Sequence, residues 1–358
     1  MSRDNGELKD SARIASIVIV NYNGGDAVLE CLQSVLAHTE SDIEIIVVDN
    51  ASTDGSPDGI KAQFPKAHLI RAGANLGFGA GNNLGVKQAT SDFLVFLNPD
   101  TIVCEGWLGP LLRELEADRK VGLVTAKILM ADDTATINAC GNSIHLTGLT
   151  LCRGLGAGQV SFSRTEDVGA VSGAAFAMRR EVFEQLGGFD EDMFLYMEDT
   201  DLSLRARLAG WLCRFAPDSV VLHRYILKIT PKKVFYQERN RYLMLFKAFR
   251  WRTLVVLLPV AVCAELIAWA FVVLTDRPNA RNKVRAYSWI WTNWTSLLSK
   301  RKQVQSMRKI PDRFILRTMG IRLDFGQAAS PVVATVGHII FDPVFAVCKV
   351  LALAIVWW

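Results

Sequence analysis

The stretch from residue 43 to residue 55 reads Ile43-Glu44-Ile45-Ile46-Val47-Val48-Asp49-Asn50-Ala51-Ser52-Thr53-Asp54-Gly55. Its first part, Ile43 to Val48, is an apolar and mostly β-branched run that predicts a strand. The run ends in turn-forming polar residues, and a helical pattern follows from Ser56 to Phe64. A buried strand that passes through a polar turn into a helix is the repeating unit of a parallel α/β sheet.

The segments on either side repeat this unit. Apolar runs predict strands at Ala15 to Val20, His68 to Ile70 and Phe93 to Leu97. Helical patterns lie at Asp26 to Ala37, with Asp26 as the N-cap, and at Gly79 to Ala89. These elements predict a doubly wound α/β sheet. Later patterns predict a helix Trp107 to Ala117, a strand Gly122 to Thr125, a hairpin Cys140 to Gly158, a strand Ala170 to Met178, helices beginning near Arg180 and Glu198, and a strand Ser219 to His223.

Polar residues follow each of the first four predicted strands. In an open parallel sheet, ligands bind beyond the carboxyl ends of the strands. Asp49 can accept a hydrogen bond from a base or a ribose, Tyr22 can stack on a base, and Gly77 allows close backbone approach. One such cluster is as well explained by a turn. Four clusters at one edge predict a nucleotide pocket, and the glycines near Gly77 lack the spacing of a dinucleotide fingerprint.

Two pairs of residues suggest the chemistry. Asp100 follows the apolar run at Phe93 to Leu97, where a hard divalent cation on a diphosphate needs an oxygen ligand. His223 also ends an apolar run and is a candidate second ligand, although a lone histidine is more often structural. Glu198 and Asp199 follow an aromatic stretch, which partly desolvates them and keeps one basic enough to accept a proton. The sequence therefore predicts a general base in this pair.

The last hundred residues have a different composition. The mean hydropathy of the chain is +0.21, and the segment from Arg277 to Arg322 contains twelve Lys and Arg but one acid, Asp312. Apolar stretches flank it at Leu254 to Leu274 and Val332 to Trp358. If both spanned a bilayer, the basic segment would lie outside the cytoplasm, against the positive-inside rule. We therefore expect helices on or within one leaflet of an anionic membrane surface, the alternatives being a buried helical subdomain or a dimer interface.

The compartment is predicted from two further features. The seven cysteines are scattered without a C-x-x-C pair, which fits a reducing cytosol. Residues 1–13 are polar and contain no signal-peptide core. We expect the cytoplasmic face of the cell membrane, with peripheral or leaflet-inserted attachment, and no nucleic-acid partner. The expected domains are a polar tail at 1–13, a catalytic domain at 14–250 and a helical, membrane-associated region at 251–358.

Motifs in a fixed order make the chain resemble glycosyltransferase family two, which has the GT-A fold, and most closely its rhamnosyltransferase-like members. The resemblance covers about Ala15 to about Tyr242. It rests on Val20-Asn21-Tyr22-Asn23, Val47 to Ser56, Asn75-Leu76-Gly77-Phe78-Gly79 with Asn82-Asn83, Asn98-Pro99-Asp100, Ser172-Gly173-Ala174-Ala175-Phe176, and Gly187-Gly188-Phe189-Asp190-Glu191 leading to Glu198-Asp199-Thr200-Asp201-Leu202.

The resemblance implies an inverting, metal-dependent transferase with a mixed sheet. It implies a nucleotide-sugar site that contains Asn21, Tyr22, Asn23, Asp49, Asn75, Gly77, Asn82 and Asn98, with Gly173 and Ala174 facing the sugar. Asp100 and His223 would hold Mg²⁺ or Mn²⁺, and Asp199, beside Glu198, would be the catalytic base. Asn98 departs from the family's Asp-x-Asp metal motif. The implied partners are a nucleotide diphosphate sugar and a lipid-linked or cell-surface glycan acceptor. The rhamnosyltransferase-like members suggest rhamnose on deoxythymidine diphosphate as the donor.

Three alternatives can be weighed against this resemblance. A nucleotide-sugar binding protein without catalysis is favoured only by Asn98, because the two candidate pairs are both present. A sugar nucleotidyltransferase needs a basic, glycine-rich phosphate loop, and no Lys or Arg lies near Asn21 to Gly25. A processive synthase is disfavoured because no Q-x-x-R-W motif follows Asp199.

Overall fold

The computed structural model describes residues 14–39, 42–224, 231–275, 277, 280–323 and 331–358. The predicted tail at 1–13 lies outside these residues. The strands are β1 (Ala15–Asn21), β2 (Ile43–Asp49), β3 (His68–Arg71), β4 (Phe93–Leu97), β5 (Thr101–Val103), β6 (Val121–Met130), β7 (Ile137–Ala139), β8 (Asn142–Ile144), β9 (Thr150–Cys152), β10 (Glu166–Asp167), β11 (Ala175–Arg179) and β12 (Leu212–His223).

Helices cover the sheet and form the carboxyl-terminal part. They are α1 (Gly25–Ala37), α2 (Ser56–Gln63), α3 (Gly77–Val86), α4 (Leu108–Ala117), α5 (Arg180–Leu186), α6 (Glu198–Leu208), α7 (Pro231–Ala248), α8 (Trp251–Val256), α9 (Leu258–Thr275), α10 (Ala280–Thr292), α11 (Trp294–Ser306), α12 (Asp312–Thr318) and α13 (Pro331–Ile355), with a 3-10 turn at Glu191–Met193.

The main sheet has the strand order β10-β12-β6-β11-β4-β1-β2-β3, with β5 paired to β12 and β7 to β6. Strands β1 to β4 are parallel, as the alternating pattern predicts. Strand β11 runs antiparallel between β4 and β6, which makes the sheet mixed. The hairpin of β8 and β9 stands apart from it. The carboxyl ends of β1, β2 and β4 therefore meet at one edge.

The early strands confirm the sequence patterns, and β4 has the predicted bounds. Several details were wrong. Helix α3 begins at Gly77 and ends at Val86, not at Gly79 and Ala89, and β12 begins at Leu212, not at Ser219. Helix α1 is capped by Gly24 and has Asp26 in its first turn, where a carboxylate still interacts favourably with the helix dipole. The strand predicted from Ala170 begins only at Ala175, because residues 172–174 leave the sheet to form a loop at its edge.

The carboxyl-terminal helices share a hydrophobic core with the first part of the chain. This core joins Leu146, Met197 and Leu204 to Leu297 and Ile315, and it therefore crosses the predicted boundary at residue 250. Burying such side chains stabilises a fold by roughly 1.5–3 kcal/mol each. The helices thus pack against the catalytic half through a continuous apolar interior.

Buried ion pairs reinforce this packing. Lys247 of α7 lies 2.8 Å from Asp201 and also contacts Asp190, which in turn contacts Lys300 of α11. Burial alone would raise the pKa of Asp190, but the two ammonium groups outweigh it and hold the pKa below its ordinary range. Lys300 also contacts Asp192. The Gly-Gly-Phe-Asp-Glu motif therefore anchors α7 and α11.

Several of the basic residues between Arg277 and Arg322 do not face a lipid surface, contrary to the expectation from composition. Lys283 is fully buried and lies 2.9 Å from Glu265. Arg301 is also buried and donates to the backbone oxygen of Phe249 at 2.6 Å. Composition alone cannot separate cations that neutralise internal acids from those that stay at the surface.

Among the described residues, one helix is long and apolar enough to cross a membrane by length and composition, in the window His338–Ile355. The other predicted apolar stretch forms α8 and α9. Glu265 of α9 contacts Arg241 and the hydroxyls of Tyr242 and Tyr287. The acid that interrupts this stretch is therefore neutralised inside the protein.

Candidate active site

The turns after β1 and β2 are tied together by one buried amide. Asn21 is fully buried, and its Nδ2 donates to Asp49 Oδ1 at 3.3 Å, to Ser52 Oγ at 3.1 Å and to Ser56 Oγ at 2.9 Å. Asp49 is itself only 3% exposed. Buried polar groups need such partners, because an unsatisfied one costs about 1–3 kcal/mol. Asn21 thus holds together the turns that form the predicted nucleotide-binding edge of the sheet.

The surface of this edge is formed by the next two residues. Asn23 has a positive φ of 53°, its Oδ1 accepts from the backbone N–H of Thr53 at 2.8 Å, and its own N–H donates to Ser52 Oγ at 2.9 Å. Tyr22 is 51% exposed. The turn therefore leaves an aromatic ring accessible to a flat ligand.

The segment after β3 shapes the neighbouring loop. Asn75 Oδ1 accepts from the N–H of Gly77 at 3.0 Å, and Asn82 Nδ2 donates to the oxygen of Phe78. A Cβ on Gly77, whose φ is +81°, would lie 2.3 Å from the backbone oxygen of Phe194. The close approach that requires glycine is thus made to residue 194, which lies on the segment that leads to Glu198.

Asp100 and His223 are brought together although they are far apart in sequence. His223 Nε2 lies 3.3 Å from Asp100 Oδ1, a buried oxygen without a hydrogen-bond donor. The Oδ1 of Asn138 is 2.9 Å from His223 Nδ1. The ring of His223 is thus held at Nδ1 by Asn138, and its Nε2 faces Asp100. A buried carboxylate oxygen beside an imidazole nitrogen is a donor set suited to a divalent cation.

The acid pair is linked to this edge through two hydrogen bonds. The N–H of Asn98, two residues before Asp100, donates to the oxygen of Ala174 at 2.9 Å. The N–H of the adjacent Gly173 donates to Asp199 Oδ2 at 2.7 Å. A side chain on Gly173 would press on the same carboxylate, at 3.2 Å. Successive hydrogen bonds therefore connect Asn98 to Ala174, and Gly173 to Asp199.

Asp199 and Glu198 differ in their hydrogen bonds. Asp199 Oδ2 also accepts from Asn142 Nδ2 at 3.3 Å, and Oδ1 accepts from the N–H of Thr200 at 2.6 Å and from its hydroxyl at 3.1 Å. Glu198 is 6% exposed, and its Oε2 is buried without a partner. The hydrogen-bond donors around Asp199 favour its charged form. No donor among the described residues contacts Oε2 of Glu198, so this oxygen gains no such stabilisation of the charge.

The pKa values of the two acids follow from these surroundings. Burial raises the pKa of Glu198 to about 8, and the neighbouring Asp199 adds to the effect. Burial also raises the pKa of Asp199, but the N–H groups of Gly173 and Thr200 oppose the rise. At neutral pH Glu198 therefore keeps its proton. The hydrogen-bond donors around Asp199 favour its charged form, and its raised pKa makes it more basic than an ordinary aspartate, as a general base requires.

Glu198→Gln should change how stability depends on pH. Below pH ~4.3 residue 198 is protonated in both the folded and the unfolded wild type. Between there and about pH 8 only the folded state keeps the proton, so wild-type stability falls as pH rises. The Gln variant has no such proton. We expect its Tm to exceed that of the wild type by a margin that grows to about 3 °C or more at pH 8.

The control for this comparison is Glu191→Gln, which alters an exposed carboxylate nearby. Its Tm should follow the wild-type curve at every pH. Parallel curves for wild type and Glu198→Gln between pH 5 and pH 8 would show that Glu198 is ionised in the folded protein.

Two site residues escape the sequence analysis. Asn138 holds His223, and Asn142 contacts Asp199 and donates to the oxygen of Val171 at 3.0 Å. Both asparagines are buried within short strands. In sequence they are indistinguishable from the turn-forming residues around them. What distinguishes the two asparagines is that their amides are buried within strands. The sequence alone does not give this burial.

Known proteins resemble this chain in sequence. A model described as glycosyl transferase family 2 matches residues 16–187. An N-acetylglucosaminyl-diphospho-decaprenol L-rhamnosyltransferase of Mycobacterium tuberculosis is 30% identical over 232 residues, which are 59% of this chain and 76% of that protein. The O-antigen biosynthesis protein RfbC of Myxococcus xanthus is 31% identical over 207 residues, 54% of this chain but only 16% of that protein.

Two solved structures share the fold. Residues 1–349 of S. aureus TarS, in complex with UDP-GlcNAc, align with a TM-score of 0.55 and 12% identity over 95% of this chain and 88% of that chain. GalNAc-T7 with UDP, GalNAc and Mn²⁺ aligns with a TM-score of 0.54 and 20% identity over 66% of this chain. The match covers 48% of the GalNAc-T7 chain, so this protein corresponds to about half of it.

The mixed sheet and the family match define a glycosyltransferase with a GT-A-type fold. The chain belongs to glycosyl transferase family 2, and its resemblance to the rhamnosyltransferase-like members is confirmed.

Proposed function

We propose that this protein is an inverting, metal-dependent transferase that moves a sugar, rhamnose from a deoxythymidine diphosphate donor, to a hydroxyl of a lipid-linked acceptor. The proposal is carried by the series of contacts that leads from Asn98 through Ala174 and Gly173 to Asp199. It joins the edge that would hold the diphosphate to a carboxylate that can take a proton. The choice of sugar and acceptor is supported by the name of the mycobacterial relative.

Asp199 performs the proton transfer in this mechanism. It accepts the proton of the acceptor hydroxyl while that oxygen attacks the anomeric carbon from the face opposite the diphosphate, so the configuration inverts. The donors from Gly173 and Thr200 orient the carboxylate. The proton held by Glu198 keeps a second negative charge away from Asp199. General-base assistance of this kind contributes a factor of ~10² to 10⁴ in rate.

Asp100 and His223 would hold the divalent cation, Mg²⁺ or Mn²⁺. Among the residues that the structure describes, no group of three or more His, Cys, Asp and Glu side chains could hold a metal. The other ligands would therefore be diphosphate oxygens and water, as is usual for Mg²⁺. When bound, the ion would offset charge on the leaving diphosphate. Asn138 orients the ring of His223 through its contact with Nδ1.

The donor is tested by thermal shift. Deoxythymidine diphosphate rhamnose with Mn²⁺ should raise Tm by about 5 °C or more at a concentration of roughly 100 Kd, because the ligand binds only the folded state. Uridine and guanosine diphosphate sugars serve as comparisons. A larger shift with one of those would replace the proposed donor. No shift with any nucleotide diphosphate sugar would contradict transfer from such a donor.

The cytoplasmic face of the cell membrane is the proposed location. Ile340, Val344, Val347, Leu351 and Ile355 of α13 are all exposed, and their spacing places them on one helical face. The opposite face contributes Phe345 and Ala352 to the core. One face of α13 packs against the core, and its exposed face is apolar. Such a face suits insertion into one leaflet of a membrane. Exposed basic residues such as Arg281, Arg285 and Lys302 would face the anionic headgroups.

A membrane wash tests this attachment. Membranes from cells that produce the full chain are washed with high salt and then with detergent, and the protein is followed by immunoblot. We expect retention in high salt and release by detergent, because apolar insertion is not screened by ions. Release by salt alone would contradict insertion of α13.

A further inference from the structure

An apolar groove lies between α7, α9, α10 and α11. Its volume is about 580 Å³. The wall is formed mainly by apolar and aromatic side chains, among them Leu254, Leu257, Leu258, Ala261, Trp269 and Trp294. Leu258 is 54% exposed within it. A groove of this size and composition suits a long apolar ligand.

The groove is connected to the proposed catalytic base through one hairpin. Leu146 and Thr147, in the turn between β8 and β9, form part of its wall. Asn142, at the start of β8, donates to Asp199. Thr150, at the start of β9, donates to the hydroxyl of Thr200 at 3.0 Å. One end of the hairpin therefore contacts the base and its turn contacts the groove.

Helix α7 also connects the region of the base with the groove, and it carries a lysine near its start. Near its start the Nζ of Lys233 lies 5.4 Å from the ring centroid of Tyr196, on the segment that leads to the base. About two turns later, roughly 12 Å along the axis, Arg241 lines the groove. Arg241 contacts Glu238 at 3.0 Å and also Glu265, so its charge is balanced within the wall. Helix α7 therefore runs from the segment before the base, where Lys233 contacts Tyr196, to the wall of the groove.

We propose that the groove binds the isoprenoid tail of the lipid-linked acceptor, with the acceptor diphosphate beside Lys233 and the sugar hydroxyl at Asp199. The inference rests on the proposed function, since it assumes that this site transfers a sugar. The order of base, ammonium group and apolar groove matches the order of sugar, diphosphate and hydrocarbon in such an acceptor. A soluble glycan would leave the groove uncovered, at a cost that natural surfaces avoid.

The location is tested by photolabelling, which requires no transfer. The probe is a farnesyl diphosphate analogue with a benzophenone at the tail, and labelled peptides are mapped by mass spectrometry. We expect labelling within α9 and α11, and competition by geranylgeranyl diphosphate but not by inorganic diphosphate. Labelling confined to the exposed face of α13 would overturn the inference, because it would show general lipid partitioning. Competition by inorganic diphosphate without competition by geranylgeranyl diphosphate would also overturn the inference.

A matched pair of variants tests occupancy. Ala261→Phe fills the groove, whereas Val262→Phe adds the same ring at an exposed neighbouring position of α9. Ala261→Phe should lower labelling of the groove about tenfold, which corresponds to 1.4 kcal/mol, and Val262→Phe should not. In transfer assays, Ala261→Phe should raise KM about tenfold for an acceptor with a long isoprenoid tail. It should leave KM unchanged for the same sugar diphosphate with a methyl ester.

The two proposals fail in different ways. Groove labelling that responds to Ala261→Phe, together with a wild type that transfers no sugar, would keep the isoprenoid site and reject the proposed function. Transfer by the wild type with equal KM for Ala261→Phe and wild type on the long-tailed acceptor would keep the function and reject the groove as its tail site.

Discussion

Asp199→Asn should lower the rate of sugar transfer about 100-fold or more while leaving donor affinity nearly unchanged. The amide has the shape of the carboxylate, and its single oxygen can accept the N–H of Gly173 while its NH2 group faces Thr200, so the loop at residues 172–174 should keep its position. It cannot accept the proton of an attacking hydroxyl. Single-turnover transfer and calorimetric titration of the donor measure the two effects separately.

Glu198→Gln serves as the comparison for this variant. Because Glu198 is protonated at neutral pH, its amide analogue should retain most of the activity. Near-normal turnover of folded Asp199→Asn would remove Asp199 from the role of base. If Glu198→Gln were instead inactive, the base would be Glu198, and the hydrogen bonds of Asp199 would have to be interpreted as structural.

Asp100→Ala should abolish most of the metal response. We expect at least a tenfold weaker affinity for Mn²⁺, measured by the electron paramagnetic resonance of the free ion, and a loss of about 100-fold in transfer, because the ion stabilises the leaving diphosphate by several kcal/mol. Chelation of the wild type should produce a similar loss, and added Mn²⁺ should reverse it. Affinity for Mn²⁺ is read independently of turnover.

Asn98→Asp provides the opposite change at the same edge. It restores a second carboxylate two residues before Asp100, so Mn²⁺ should bind more tightly than to the wild type. Equal Mn²⁺ affinity in wild type, Asp100→Ala and Asn98→Asp would place the metal elsewhere or exclude it from this edge.

The agreement between sequence and structure is best where a pattern is local. The apolar runs at β1, β2 and β4 allow only buried strands, and their polar ends must meet at one edge of a parallel sheet. The boundaries changed where a tertiary contact competed. Residues 172–174 were predicted as part of a strand but leave the sheet, and the N–H of Gly173 donates to Asp199 instead of to a neighbouring strand.

The basic carboxyl-terminal segment shows the limit of composition. Lys283 and Lys300 contribute to the same positive charge as exposed residues, yet they contact Glu265 and Asp190 inside the protein. Only the positions of the acids distinguish the two groups. The same holds for Asn138 and Asn142, whose amides become site residues through their contacts with His223 and Asp199.

The sequence by itself determined the class of fold, the edge at which ligands would bind and the candidate residues Asp100, Glu198, Asp199 and His223. Strand patterns and motif order are short-range properties, so they survive without coordinates. The tertiary structure alone decided which acid of the pair receives hydrogen-bond donors, which asparagines hold the candidate residues, and that an apolar groove lies among the carboxyl-terminal helices. These depend on burial and on contacts between distant segments, which no local pattern encodes.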